Sequence, residues 1–160
     1  MIVVADTSVV LNLCCVRQER LLSALFGRVL VPTEVAAEFR RLAGVDVRFS
    51  GLALPAWIEV LPSPAPFPEL RAAHLDLGET AAIALCLSQC ADALLVDESL
   101  GRAVAARLGL RTIGLLGILL DARTHALLER VAPVLDELER TAGFWIAPSL
   151  RARVLQLAGE

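Results

Sequence analysis

Apolar and polar positions along the chain fall into short runs that switch between a strand-like and a helical period. Ile2 to Ala5 is an apolar run rich in β-branched residues, suited to a strand buried on both faces. It ends at Asp6-Thr7-Ser8, residue types that favour a helix N-terminus. Val9 to Cys15 and Arg17 to Phe26 then read as helix, with Leu21, Leu22, Leu25 and Phe26 on one face and Gly27 as the stop. Arg28 to Val31 predicts a second strand, Pro32 a first helical residue, and Thr33 to Leu42 the helix it opens. Further on, Leu77-Gly78-Glu79-Thr80 begins the most apolar helix, running to about Cys90. Ala93 to Val96 predicts a third buried strand ending at Asp97. Glu98 to Leu108 is helical up to Gly109, and Arg111 to Ile113 is a fourth strand. Helices over Leu115 to Leu127, Ala132 to Thr141 and Ser149 to Ala158 complete the chain.

The segment Gly44 to Pro68 breaks this rhythm. It carries Pro55, Pro62, Pro64, Pro66 and Pro68, leaves room for a short strand at Trp57 to Leu61, and ends in a stiff linker, Pro62 to Pro68. It reads as a surface excursion, not a domain boundary. Strands alternating with helices predict an α/β fold: a central, mostly parallel sheet with helices on both sides, formed by one domain over residues 1–160.

Composition changes this picture in three ways. Hydrophobic residues make up 56% of the chain, yet the longest charge-free stretch, Thr80 to Ala91, is far too short for a membrane helix. A doubly covered sheet and a homodimer interface account for the excess. No basic start followed by an apolar run marks a secretion signal, so the expected location is the cytoplasm. The net charge is −3, so a chain of this kind would not hold nucleic acid by phosphate neutralisation alone; if it handles nucleic acid, metal ions must screen its own acids. All 15 basic residues are arginine, which excludes chemistry that requires lysine. Cys14, Cys15, Cys86 and Cys90 lack zinc-site spacing and read as buried, reduced thiols, Cys86 and Cys90 sharing a helix face.

In an open parallel sheet, sites form beyond the carboxyl ends of the strands. Asp6 and Asp97 each follow four apolar residues and stand at such an end. Glu34 and Glu38 lie four apart on one helix face, and either can point toward the site. Glu79 opens the apolar helix. Carboxylates brought together raise each other's pKa, and a bound cation relieves the repulsion. Oxygen donors of this kind suit Mg2+ or Mn2+ and fit zinc or copper poorly. Neither His74 nor His125 sits at a strand end, and no GxSxG, GxGxxG or P-loop is present.

The segments Val4-Ala5-Asp6-Thr7-Ser8, Val31-Pro32-Thr33-Glu34-Val35-Ala36-Ala37-Glu38, Leu75 to Leu85 around Gly78-Glu79-Thr80, and Leu94-Leu95-Val96-Asp97-Glu98, in this order, resemble the PIN-domain family. The stretch Ala105 to Leu110, with Gly114 and Gly117, extends the likeness over nearly the whole chain. The similarity is greatest to the small prokaryotic branch related to VapC-type toxin ribonucleases. It implies a three-layer α/β/α fold and a metal-binding, catalytic quartet of Asp6, Glu38, Glu79 and Asp97, with Glu38 preferred to Glu34. It further implies that Ser8 orients Asp6 or its bound water, and that Arg102 and Arg123 contact RNA. Relatives often carry lysine where this chain has Arg123. The implied activity is Mg2+- or Mn2+-dependent RNA hydrolysis leaving a 5′-phosphate, by the toxin of a toxin–antitoxin pair whose antitoxin protein covers the acidic groove. A catalytically silent module that grips RNA or a protein partner is the alternative. A phosphoacceptor receiver domain would need a strand-end lysine. A haloacid-dehalogenase-type phosphatase would need an aspartate where Ser8 stands.

Overall fold

A computed structural model describes residues 1–160. Five strands, β1 (Ile2–Ala5), β2 (Arg28–Pro32), β3 (Glu59–Leu61), β4 (Ala93–Leu95) and β5 (Thr112–Ile113), form one sheet in the order β3-β2-β1-β4-β5. Every neighbouring pair is parallel. Chain progression runs outward from β1 through β2 to β3 on one side, then returns to β4 and β5 on the other. The strand order therefore reverses between β1 and β4, where a crevice opens at the carboxyl edge.

Nine helices cover both faces: α1 (Thr7–Cys15), α2 (Arg20–Phe26), α3 (Thr33–Val45), α4 (Pro68–Arg71), α5 (Leu77–Ser88), α6 (Ser99–Arg107), α7 (Leu115–Thr124), α8 (Ala132–Glu137) and α9 (Pro148–Ala158). Alternation along the strands divides the core into two layers. Val3, Ala5, Val29, Val31, Ala93 and Leu95 pack with residues of α1, α2, α3, α7, α8 and α9. Val4, Leu30, Leu94 and Val96 pack against α4, α5 and α6. The result is a three-layer α/β/α sandwich whose central strand, β1, has no exposed residue beyond Ile2's partial exposure.

Several boundaries differ from the sequence reading, each for a local reason. Arg17 adopts a left-handed conformation (φ 57°), so α1 ends at Cys15 and α2 starts only at Arg20. Pro32 is the last residue of β2 and caps α3 from outside, with extended backbone (ψ 159°). The strand expected near Trp57 is Glu59–Leu61, an edge strand pairing with β2 at Leu30↔Glu59. Pro62, which has no amide to donate, follows it directly. The linker ends in the single-turn helix α4, with Pro68 at its first position. Helix α5 stops at Ser88, and Cys90 is left-handed (φ 48°) and exposed, so it does not share a face with Cys86. Only Cys14 and Cys86 are buried, and burial pushes their thiols up to about 12 and about 11. Helix α7 ends at Thr124, and α8 widens into a π turn over Leu138–Ala142. No helix is long and apolar enough to cross a membrane.

Candidate functional site

The site begins with strand β1. Its buried run delivers Asp6 to the carboxyl edge, where the Asp6 amide donates to the Leu95 carbonyl of β4 at 2.9 Å. Asp6 is thereby fixed at the point where strand order reverses, and only 6% of it is exposed. It opens on a cavity of about 320 Å3 that is also lined by Thr7, Ser8, Glu38, Asp76, Glu79 and Glu98. Leu11, Phe49 and Phe144 supply apolar walls. Arg48 is the one cationic side chain in the lining, and its guanidinium is engaged by Asp46 at 2.7 Å.

Three of the expected acids meet here. Helix α3 brings Glu38, whose Oε2 accepts from the Thr7 hydroxyl at 2.5 Å. Glu34, one turn earlier, is turned away: it accepts from Ser63 at 3.0 Å and Thr33 at 3.1 Å and faces an adjoining groove. Helix α5 brings Glu79, which is 6% exposed. Asp76 caps α5 through the Glu79 amide at 2.8 Å, and Glu79 Oε2 returns to the Asp76 amide at 3.4 Å. This capping box fixes one carboxylate oxygen. The other, Oε1, is buried with no hydrogen-bond partner.

The electrostatics follow from this crowding. Burial first, then the charges of Asp76, Glu79 and Glu38, push the Asp6 carboxyl up to about 7, against a hydrogen bond from the Thr7 amide. Glu79 is also raised, by burial and then by Asp76. Ser8 Oγ stands 3.5 Å from Asp6 Oδ2, too long for a firm O–H···O bond.

Asp97 stands just past the carboxyl end of β4. It opens on a second cavity with Arg102, Gly114 and Leu150, while Glu98 and Phe144 line both spaces. Its Oδ1 accepts from the Leu115 amide at 2.8 Å, and its Oδ2 is buried and unpartnered. Burial raises its pKa, while the Leu115 amide and the Arg102 charge oppose the rise. The exposed Arg102 is thus beside the site. Arg123 lines neither cavity: α7 packs against α2 and α9, and the Arg123 Nε is buried without a partner. Its charge acts on Glu160, which accepts the Val131 amide at 2.5 Å.

No three histidine, cysteine, aspartate or glutamate side chains form a preassembled metal cage. The donor chemistry nevertheless fits a hard divalent cation. Glu79 Oε1 and Asp97 Oδ2 are buried acceptors lacking donors, and the carboxylates around Asp6 have no free cation among them. Sequence reasoning missed Thr7, Asp76 and Glu98. The spacing Asp76-x-x-Glu79 was a readable capping signal, whereas Thr7 and Glu98 gain meaning only from segments folded against them. The two histidines remain peripheral: both are exposed, and His125 Nδ1 contacts the Asp121 carbonyl.

No curated protein matches the chain. A family model described as PIN domain matches residues 2–160, a nuclease-type fold, and the chain accordingly belongs to the PIN-domain family.

Proposed function

We propose that the chain is a metal-dependent endoribonuclease that hydrolyses RNA phosphodiester bonds. The carrying observation is the convergence of Asp6, Glu38 and Glu79 on one cavity in which no free cation balances them. Asp6, Glu38, Glu79 and, from the adjoining cavity, Asp97 would hold Mg2+ or Mn2+. When bound, the ion activates water and offsets charge developing on the phosphoryl oxygens. The protein's part is placement. Thr7 holds the Glu38 carboxylate, the Asp76–Glu79 capping box holds Glu79, and the Leu115 amide holds Asp97. Leu11, Phe49 and Phe144 limit water around the acids. Arg102, which lines the cavity beside Asp97, would meet a phosphate as a planar fork. Water adds to phosphorus, the bond to the 3′ oxygen breaks, and the products carry a 5′-phosphate and a 3′-hydroxyl.

By its family the protein is further proposed to be a VapC-type toxin of the cytoplasm, acting as a homodimer and silenced by an antitoxin protein that covers the acidic cavity. Purified protein and a mixed RNA pool, with Mn2+, Mg2+ or chelator, test the activity beside Asp6→Asn and Asp97→Asn. Cleavage that needs metal and disappears in both variants supports the proposal. Cleavage that persists in Asp6→Asn with Mg2+ overturns it.

A second reading, a PIN-fold module that binds RNA or a partner without cutting, draws on the lack of a preassembled three-residue metal cage. It expects metal-independent RNA retention, unchanged by Asp6→Asn.

A further inference from the structure

The acids reach their places past three glycines. A Cβ at Gly78 would stand 2.8 Å from Glu38 Oε2. One at Gly101 would stand 2.8 Å from Glu79 Oε1, and one at Gly114 would stand 2.9 Å from Asp97 Oδ1. Carbon and oxygen do not normally approach closer than about 3.3 Å. Each of three carboxylates therefore occupies the space a side chain would take. The glycines belong to three different helix starts: Gly78 and Gly101 lie in the first turns of α5 and α6, and Gly114 precedes α7.

None of the three needs glycine for its backbone, because none has a positive φ. Gly78 and Gly101 sit in helices, where alanine is the better former. Glycine is thus locally unfavourable at these two positions, and the compensating gain lies in what passes through the gap. The atoms a Cβ would strike are ends of flexible side chains, with Val96 Cγ2 at 3.3 Å from Gly101 as the one tight aliphatic neighbour. A methyl group would therefore displace the carboxylates and leave the helices standing.

We propose that Gly78, Gly101 and Gly114 are positioning residues for Glu38, Glu79 and Asp97: their missing side chains set where the three carboxylate oxygens stand. The inference rests on the metal-centre reading above for its consequence in function, but the placement itself is testable without metal.

The test uses the full chain with Gly78→Ala, Gly101→Ala and Gly114→Ala. Gly44→Ala is the control, since Gly44 lies in α3 with nothing within 4 Å of its Cβ position. Crystal structures of the variants are expected to show the facing carboxylate moved and the helix unmoved. A carboxylate that stays in place while its helix backs away overturns the proposal. Calorimetric titration with Mn2+ alone is expected to show about 10- to 100-fold weaker binding in each of the three, the scale of disturbed ligand support, and parent-like affinity in Gly44→Ala. Parent-like Mn2+ affinity in all three also overturns it. A coupling measurement separates positioning from general damage. Glu79→Asp shortens the acid by one methylene, so it should cost less affinity beside Gly101→Ala than in the parent; equal costs count against the proposal. A parent protein that binds no Mn2+ defeats the metal reading, and the crystallographic arm then decides the glycines by itself.

Discussion

Asp6 and Asp97 have nearly the same local sequence: four apolar residues, a buried parallel strand, an aspartate, then a helix. Both are buried, and burial raises the pKa of each, but the charges around them differ. Asp6 faces three further carboxylates, and its pKa is pushed up to about 7. Burial raises the pKa of Asp97 as well, but the Leu115 amide at 2.8 Å and the Arg102 guanidinium oppose the rise, and of the other acids only Glu98 adds to it. The local pattern places an acid at a strand end, and residues from distant segments decide whether that acid repels or is restrained.

The comparison is most exposed to test at Asp6. Asp6→Asn should lower metal-dependent cleavage by on the order of 10³-fold, the scale of losing a group aimed at developing charge. The same change should stabilise the metal-free protein. A pKa displaced from 3.8 to about 7 corresponds to a penalty on the order of 4 kcal/mol for the ionised folded state. A metal-free Asp6→Asn protein that melts below the parent at pH 8 would break the contrast.

The pH dependence has a defined sign. Folded Asp6 keeps its proton up to about 7, whereas the unfolded chain releases it near 3.8. Its contribution is therefore fully present below the unfolded value and is lost as pH rises through the folded one. Metal-free protein should lose a few kcal/mol of unfolding free energy between pH 5 and 8, measured by urea titration. Saturating Mn2+, or Asp6→Asn, should flatten that slope. A slope unchanged in the variant assigns it to other groups.

Smaller effects sharpen the picture. Thr7→Val removes the 2.5 Å hydrogen bond to Glu38 and should weaken Mn2+ binding about 10-fold by titration calorimetry. Asp97→Ala deprives the Leu115 amide of its acceptor, a loss of about 1–2 kcal/mol that works against the removal of a buried carboxylate, so its gain in stability should be smaller than that of Asp6→Asn. Ser8→Ala should change Mn2+ affinity less than about 3-fold, because its oxygen stands 3.5 Å from Asp6. A loss as large as that of Thr7→Val would restore Ser8 to the orienting role its position suggests.

The two aspartates were legible because a buried apolar run and a parallel sheet leave a strand-end residue few places to go. Spacing alone left Glu38 and Glu34 open, since both lie on one face of α3, and only the family resemblance favoured Glu38. The choice depends on Thr7, Ser63 and Thr33 as partners. The layered fold followed from alternating periods, but β3 has only three residues and is defined by pairing with β2, which no local pattern announces. The place of Arg123 late in α7 did not show that it would line neither acidic cavity, since that depends on how α7 packs against α2 and α9. The chain's acids were visible as residues; that Glu98 and Phe144 line both the Asp6 cavity and the Asp97 cavity depends on two separate segments meeting there.

The central position of β1 also carries a consequence for the order in which the molecule is made. One edge of β1 has β2 as its partner, at Val3↔Val29, only about 25 residues on in the chain. Its other edge waits for β4, at Val3↔Ala93. Until that later segment leaves the ribosome, Asp6 has no Leu95 carbonyl to bind and the acidic cavity has no far wall. Nascent chains shorter than this carry an open, apolar strand edge, the condition under which polypeptides pair with one another instead of with themselves.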